Sequence, residues 1–310
     1  MIMLKSHFKL RFVAVFAAVA LIYSAVCIPA YSQELEPRNY SVIPKNLNGV
    51  LLGYTFSDGS IVTDATSPFT DFDVTTHTIT LGGVRTFGIF GKLGRVQLMV
   101  PFAFMSGDLK VNGRDTTGTR TGFADARFRL GINIFGSPAL ALKDFQKFKE
   151  EMVLGASVVV SVPIGQYYEE RYVNLGSNRW GFKPEIGFSY NYNRFYIELY
   201  SGVWFFTPNN EYATTNTLKQ EPILSLQAHT IYTFKSGIWL GLDGNYFWGG
   251  QTELNGISKD DQIRNSRFGG VIGYPITPNH SLKFQAHTGV ETNIGQGYTT
   301  LSLGYQYIWN

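Results

Sequence analysis

The side chains that could do chemistry in this chain are charged groups placed at every second position of extended runs. Arg95, Asp125, Arg127, Arg129, Lys183, Glu185, Glu198, His229, Asp243, Arg267, Lys283, His287 and Glu291 each sit between aliphatic, aromatic or small neighbours. Both signs occur in comparable numbers, so these groups could line a wet wall that meets polar solutes, but not the one-sign ring of a strongly selective ion filter. The plainer use of such charges is to pair across strands and stiffen the wall. Arg127 and Arg129 beside Asp125 are the best candidates for more, because grouped guanidiniums hold a carboxylate or phenolate.

Catalysis asks for tighter constellations, and they are missing. A twelve-stranded outer-membrane phospholipase would need a His-x-Ser pair on the lipid-facing wall. Here His77, His229 and His287 are followed two positions on by Ile79, Ile231 and Gly289, and His280 falls in a turn. No two histidines have metal-ligand spacing, and phosphate-cradling glycine loops and nucleophile elbows are absent. The expectation is therefore no enzyme and no metal, ATP or other cofactor, with a lipid hydrolase kept as an alternative.

The elements that must position these groups are strands. From Gly297 to Trp309, Leu301, Leu303, Tyr305, Tyr307 and Trp309 fall on one side and Thr300, Ser302, Gly304 and Gln306 on the other. Twelve such strands are expected, over 48–57, 74–90, 95–106, 123–135, 151–164, 179–192, a seventh ending near 206, 222–235, 238–249, 264–276, 281–291 and 297–309. In lipid an open sheet edge is too costly, so strands with one oily and one wet face must close into a ring. The fold expected is all-β: a transmembrane antiparallel up-and-down barrel of about twelve strands. Gly82-Gly83 is expected to mark a bulge or bend.

Loop lengths support this topology. Polar connections at 58–73, 107–122, 165–178, 207–221 and 250–263 alternate with short ones at 91–94, 193–194, 236–237 and 277–280, as external loops alternate with periplasmic turns. The exception is 136–150, where Leu140, Leu142, Phe145 and Phe148 against Lys143, Asp144, Lys147 and Lys149 suggest a short amphipathic helix at the interface or tucked at the barrel mouth. Twelve strands give a backbone radius of about 12 Å, leaving a bore of roughly 10 Å or less.

Lys5, Lys9 and Arg11, the apolar run 12–26 and Ala30-Tyr31-Ser32 read as an export signal over 1–32. Residues 33–47 then form a periplasmic lead-in and 48–310 one barrel domain. Without the signal, the 26 basic and 23 acidic residues become 23 and 23, since three basic and no acidic residues are removed. A neutral chain has no compositional case for binding nucleic acid. Cys27, the only cysteine, leaves with the signal, so no disulfide is expected.

Three stretches resemble a known family. Gly122-Phe123-Ala124-Asp125-Ala126-Arg127, Val162-Pro163-Ile164-Gly165-Gln166-Tyr167 and Gly176-Ser177-Asn178-Arg179-Trp180 with Lys183-Pro184 are similar to elements of the meta-pathway phenol degradation family of Gram-negative outer-membrane transporters. Ala124 stands where the family's first motif has its second glycine. The resemblance implies a porin-like barrel in the cell outer membrane that takes up small organic, often aromatic or hydrophobic, compounds, and it carries over no catalytic residue. Solutes would contact Arg95, Asp125, Arg127, Arg129, Lys183, Glu185, Glu198, Asp243, Arg267, Lys283 and His287 on the inner wall. The expected partners are outer-membrane lipid, small organic solutes and the barrel-assembly machinery, with the chain a monomer or weak oligomer. The alternative use is a structural or surface-binding barrel whose external loops do the work. The terminal aromatic, Trp309, is followed by Asn310, one place from the usual end.

Overall fold

The structure is a computed structural model that describes residues 35–62, 69–111, 113–171 and 173–310; the expected export signal lies outside the described residues. Its strands are β1 (Asn48–Val62), β2 (Phe69–Ile89), β3 (Lys92–Val111), β4 (Arg114–Phe123), β5 (Ala126–Phe135), β6 (Met152–Val162), β7 (Gly181–Tyr192), β8 (Phe195–Phe206), β9 (Asn209–Tyr212), β10 (Asn216–Gln220), β11 (Ile223–Thr233), β12 (Trp239–Gly249), β13 (Thr252–Leu254), β14 (Ile257–Ser258), β15 (Ile263–Pro275), β16 (His280–Thr292) and β17 (Gly295–Trp309). The wall runs β2-β1-β17-β16-β15-β12-β11-β8-β7-β6-β5-β3 and closes through β2–β3 pairing, all antiparallel, giving a ring of twelve positions. Closure of the chain's two ends is long: β1 and β17 pair from Asn48↔Trp309 to Val62↔Gly295.

The alternation in the sequence becomes the two faces of this ring. Leu52, Leu81, Leu130, Ile186, Leu199, Leu242, Ile272 and Leu303 are exposed on its outside, while Arg95, Arg129, Lys183, Glu185, Glu198 and Asp243 are buried on its inside. An exposed aliphatic band around a buried polar core is the reverse of a water-soluble protein and matches a lipid-spanning barrel. The turn at Asn193 and Arg194, both with positive φ (48° and 76°), joins β7 to β8 without a loop.

Several strands run past the bilayer. β3 reaches Val111 and β4 occupies 114–123, so the expected loop 107–122 is mostly hairpin. Loops 207–221 and 250–263 carry a separate four-stranded sheet, β14-β13-β10-β9. Threonine-rich segments are good strand formers, but outside lipid they no longer alternate with apolar residues. Gly82-Gly83 makes no bulge: pairing passes through Gly82↔Met99 and Gly83↔Leu98 without a shift. A Cβ on Gly82 would meet the Met99 sulfur, so a larger residue there requires the flexible Met99 side chain to shift.

The segment 136–150 contains one turn of helix, α1 (Leu142–Phe145), and Phe145 and Phe148 pack on the buried cluster of Tyr40, Val42, Val153 and Tyr200. It is tucked at the barrel mouth. Residues 35–47 do not hang below the barrel as a periplasmic lead-in, and residues 33–34 of the expected lead-in lie outside the described residues. Lys45 and Asn46 donate to Leu140 and Thr86 carbonyls at the rim, and the chain then climbs inside the ring, where Leu35, Tyr40 and Val42 are buried.

The wall is irregular where β4 gives way to β5. Among the described residues β4 pairs with β3 alone, β6 ends at Val162 and β7 starts at Gly181, so residues 163–171 and 173–180 close the gap. Asp125 fastens them: one carboxylate oxygen accepts from the Gly165 N–H at 3.0 Å, the other from the Ser177 N–H at 2.9 Å and hydroxyl at 2.5 Å. A Cβ on Gly165 would lie 2.7 Å from the Gly176 Cα, so both must be glycine for the strands of the loop to touch. The Gln166 N–H donates to the Phe123 carbonyl at 2.7 Å. Removing the Asp125 carboxylate orphans these donors, and Asp125→Ala is expected to lower stability by about 2–4 kcal/mol in urea unfolding from lipid vesicles.

Candidate functional site in the barrel lumen

The periplasmic half of the lumen is occupied by residues 35–47, and the wall is shaped to receive them. Inward-facing Gly155 and Gly187 are directly paired across β6 and β7, and a Cβ on either would overlap the Tyr40 ring. The Tyr40 hydroxyl donates to Glu185 at 3.0 Å and lies 2.9 Å from the Ser157 hydroxyl, and its ring meets Tyr200 edge-on at 5.1 Å. A positive φ of 69° at Arg38 turns the segment, presenting its N–H to Glu198 at 2.7 Å and its guanidinium over the Tyr196 and Trp239 rings.

The inward charges hold this segment. Arg95 donates to the carbonyls of Asn39 and Ser41. Arg129 bridges Glu36 at 2.5 Å and Glu185 at 2.9 Å, and Lys183 reaches the other Glu185 oxygen at 2.7 Å. Glu198 also accepts from the Tyr200 hydroxyl at 2.6 Å. Buried charges at this depth are tolerable only when paired and hydrogen-bonded, and the segment supplies many of the partners. Further round the wall, Asp243 lies 2.7 Å from His229 Nδ1 and 3.6 Å from His287 Nε2, and Lys283 interacts electrostatically with Glu36 and Asp243. Among the described residues no three His, Cys, Asp or Glu side chains are grouped to hold a metal.

Above the segment is a cavity of about 650 Å³ with Leu35 and Glu36 in its lining. Of the expected lumen residues, Asp125, Arg127, Arg267 and His287 line this cavity. Arg95, Arg129, Lys183, Glu185, Glu198, Asp243 and Lys283 do not; they sit around the N-terminal segment or among one another. Asp125 has its oxygens committed to the loop, and Arg267 donates to the Tyr298 carbonyl. One side of the cavity is hydroxyl-rich, with Thr55, Thr76, Thr78 and Thr300; the other presents Trp204, Phe206, Ile223 and Phe247. Arg179 was not foreseen, although the Gly-Ser-Asn-Arg-Trp stretch contains it; its guanidinium sits over the Phe206 ring at 4.5 Å. The inserted segment itself also escaped the sequence reading. The signal that could have found it is the pair of inward glycines, which leave a ring-sized gap in an otherwise filled wall.

Two outcomes follow from this geometry. Gly187→Val puts a branched side chain where the Tyr40 ring lies, and it is expected to raise single-channel conductance at least about twofold, as is deletion of 35–41, by emptying the periplasmic half of the bore. Glu150, beside α1, is pushed up to about 7, first by burial and then by nearby Glu198, against Arg38, a hydrogen bond from the Val42 N–H and Arg95. A raised folded-state value means that seating of the segment is fully favourable below the ordinary carboxylate range and weakens as pH rises through about 7. Hydrogen exchange at Val42 is expected to be faster at pH 8 than at pH 5 after correction for intrinsic rates, and Glu150→Gln is expected to abolish the difference.

The fold is similar to the crystal structure of the COG4313 outer membrane channel from Pseudomonas putida F1, with a TM-score of 0.76 and 19% identity over 89% of this chain and 100% of that one. The beta domain of the Bordetella autotransporter BrkA is a more distant likeness, with a TM-score of 0.49 and 12% identity over 86% of this chain and 100% of that one. No curated protein matches the sequence. The architecture is thus that of a twelve-stranded outer-membrane β-barrel. The sequence model of the family described as "Putative MetA-pathway of phenol degradation" matches residues 54–307, from within β1 almost to the end of β17, and the chain belongs to that family.

Proposed function

We propose that the chain is a passive channel that admits small organic solutes, aromatic ones among them, across the outer membrane. The observation that carries this reading is the 650 Å³ cavity, whose lining is hydroxylic on one side and aromatic or aliphatic on the other. Pockets of this size suit small molecules with an apolar body and a few polar groups. The ionisable lining comprises Arg127, Arg179 and Arg267 against Glu36 and Asp125, with His287 besides. That balance favours neutral solutes and those with one negative charge over cations. Arg127 and Arg267 are the side chains proposed to meet the solute, and Asp125 to hold the wall beside it.

Passage toward the periplasm requires the segment 35–41 to shift, because it fills the bore beneath the cavity. The segment therefore acts as the resistance of the channel, and the network around Arg129 and Glu185 sets how firmly it is seated. Lipid contacts on the aliphatic band and insertion by the barrel machinery belong to the same reading, as does function as a monomer or weak oligomer. The four-stranded sheet β9-β10-β13-β14 above the rim favours a second use, capture of a macromolecule at the surface.

Liposome flux separates the two. Purified protein in vesicles is expected to pass phenol and benzoate faster than empty vesicles, and Gly187→Val to pass them faster still. Flux equal to that of empty vesicles for both proteins would overturn the channel reading and leave surface capture.

A further inference from the structure

A second pocket, of about 440 Å³, opens at the external mouth, apart from the lumen cavity. It lies between the inward faces of the β2, β3 and β4 extensions and the crossing loop near residue 171. Phe72, Val74, Met105, Leu109 and Val173 give it an apolar floor, and Met105 also lines the lumen cavity, so the two spaces share a wall. A Cβ placed on Gly118, in its lining, would meet nothing within 4 Å, an independent sign that the space is open.

The charged groups at this pocket are Arg120, Arg171 and Glu170. Arg120 is held by backbone carbonyls, its Nε donating to Val173 at 3.0 Å and an Nη to Thr119 at 2.7 Å. Glu170 lies 3.7 Å from Arg171. Two guanidiniums thus face one carboxylate. Arg120 and Arg171 both line the pocket, and the Arg171 guanidinium also sits over the Tyr168 ring at 5.5 Å. An arriving anion meets two guanidiniums against one carboxylate, and the apolar floor accepts the body behind it.

We infer that this pocket is an external capture site for amphipathic organic acids, compounds with one ring or a short chain behind a single carboxylate, which it passes by way of Met105 to the lumen cavity. The inference rests on the channel reading for the second step, and binding at the pocket stands without it. Arg120 receives the carboxylate, Arg171 adds attraction at the rim, and Leu109, Phe72 and Val173 cover the ring. The order of events is capture outside, transfer past Met105, and entry into the space lined by Arg127 and Arg267.

The test uses the whole barrel in detergent and two probes of nearly equal shape: 2-naphthoate, anionic at pH 7, and 2-naphthol, neutral there. Titration calorimetry is expected to show 2-naphthoate binding more tightly than 2-naphthol. Arg120→Gln should weaken naphthoate about tenfold, the loss of about one charge-assisted hydrogen bond, and leave naphthol unchanged. Gly118→Leu, which fills the space and removes no group, should weaken both probes at least about tenfold. Heat-modifiable gel mobility checks that each variant is a folded barrel, and Arg171→Gln stands in for Arg120→Gln if that variant does not fold. Unchanged naphthoate binding in Gly118→Leu overturns the site; equal weakening of both probes by Arg120→Gln overturns the anionic class. Naphthoate binding without phenol flux in liposomes would overturn the channel reading and keep the pocket, whereas phenol flux without naphthoate binding overturns the pocket alone.

Discussion

Everything in this fold depends on the need to pair every backbone N–H and C=O within the protein once the chain is in lipid. A strand edge that water would tolerate costs several kcal/mol per unpaired group in hydrocarbon. The first and last strands therefore meet along their whole lengths, β1 against β17 through fifteen paired positions from Asn48↔Trp309 to Val62↔Gly295. Where the ladder fails, between β4 and β7, it fails near the outer rim, and Asp125 with Gly165 and Gly176 repairs it by hydrogen bonds and close packing rather than by strand pairing. The short stretches that resemble the family are this repair. Their glycines are explained by contact, and their aspartate by the amides it accepts.

The same constraint shapes the interior. Polar side chains must point inward because the outside is oil, and a narrow ring then concentrates charges that water hydrates only in part. The N-terminal segment resolves this by filling half the bore with backbone carbonyls, a tyrosine and a carboxylate that match the wall group by group. Arg95 finds carbonyls, Glu198 an amide, and Arg129 a second carboxylate. The external half keeps an open space whose lining is milder, with threonines opposite aromatic residues.

How much of this could be read in advance follows from where lipid acts. The strands were legible because the bilayer forces alternation: Val50, Leu52 and Tyr54 or Leu301, Leu303 and Tyr305 can face only outward. Beyond the bilayer that force ends, so the Thr-rich β4 read as loop and the strand β3 appeared to stop at Ser106 instead of Val111. The inward charges were legible as a wall, but their partners were not, since Tyr40 and Glu36 lie in a segment with no periodicity and meet residues about a hundred positions away or more. Gly82 was misjudged for a related reason: a glycine that admits a Met99 side chain looks, in one dimension, the same as a glycine that bends a strand.

The fit of Tyr40 into the gap between Gly155 and Gly187 sets a rule for how such a sequence can diverge. A larger residue at either glycine displaces the tyrosine, and a smaller residue at 40 leaves a hole while the glycines remain. The effects of change at these three positions are therefore coupled: the segment and its socket behave as one unit even though more than a hundred residues of chain separate them.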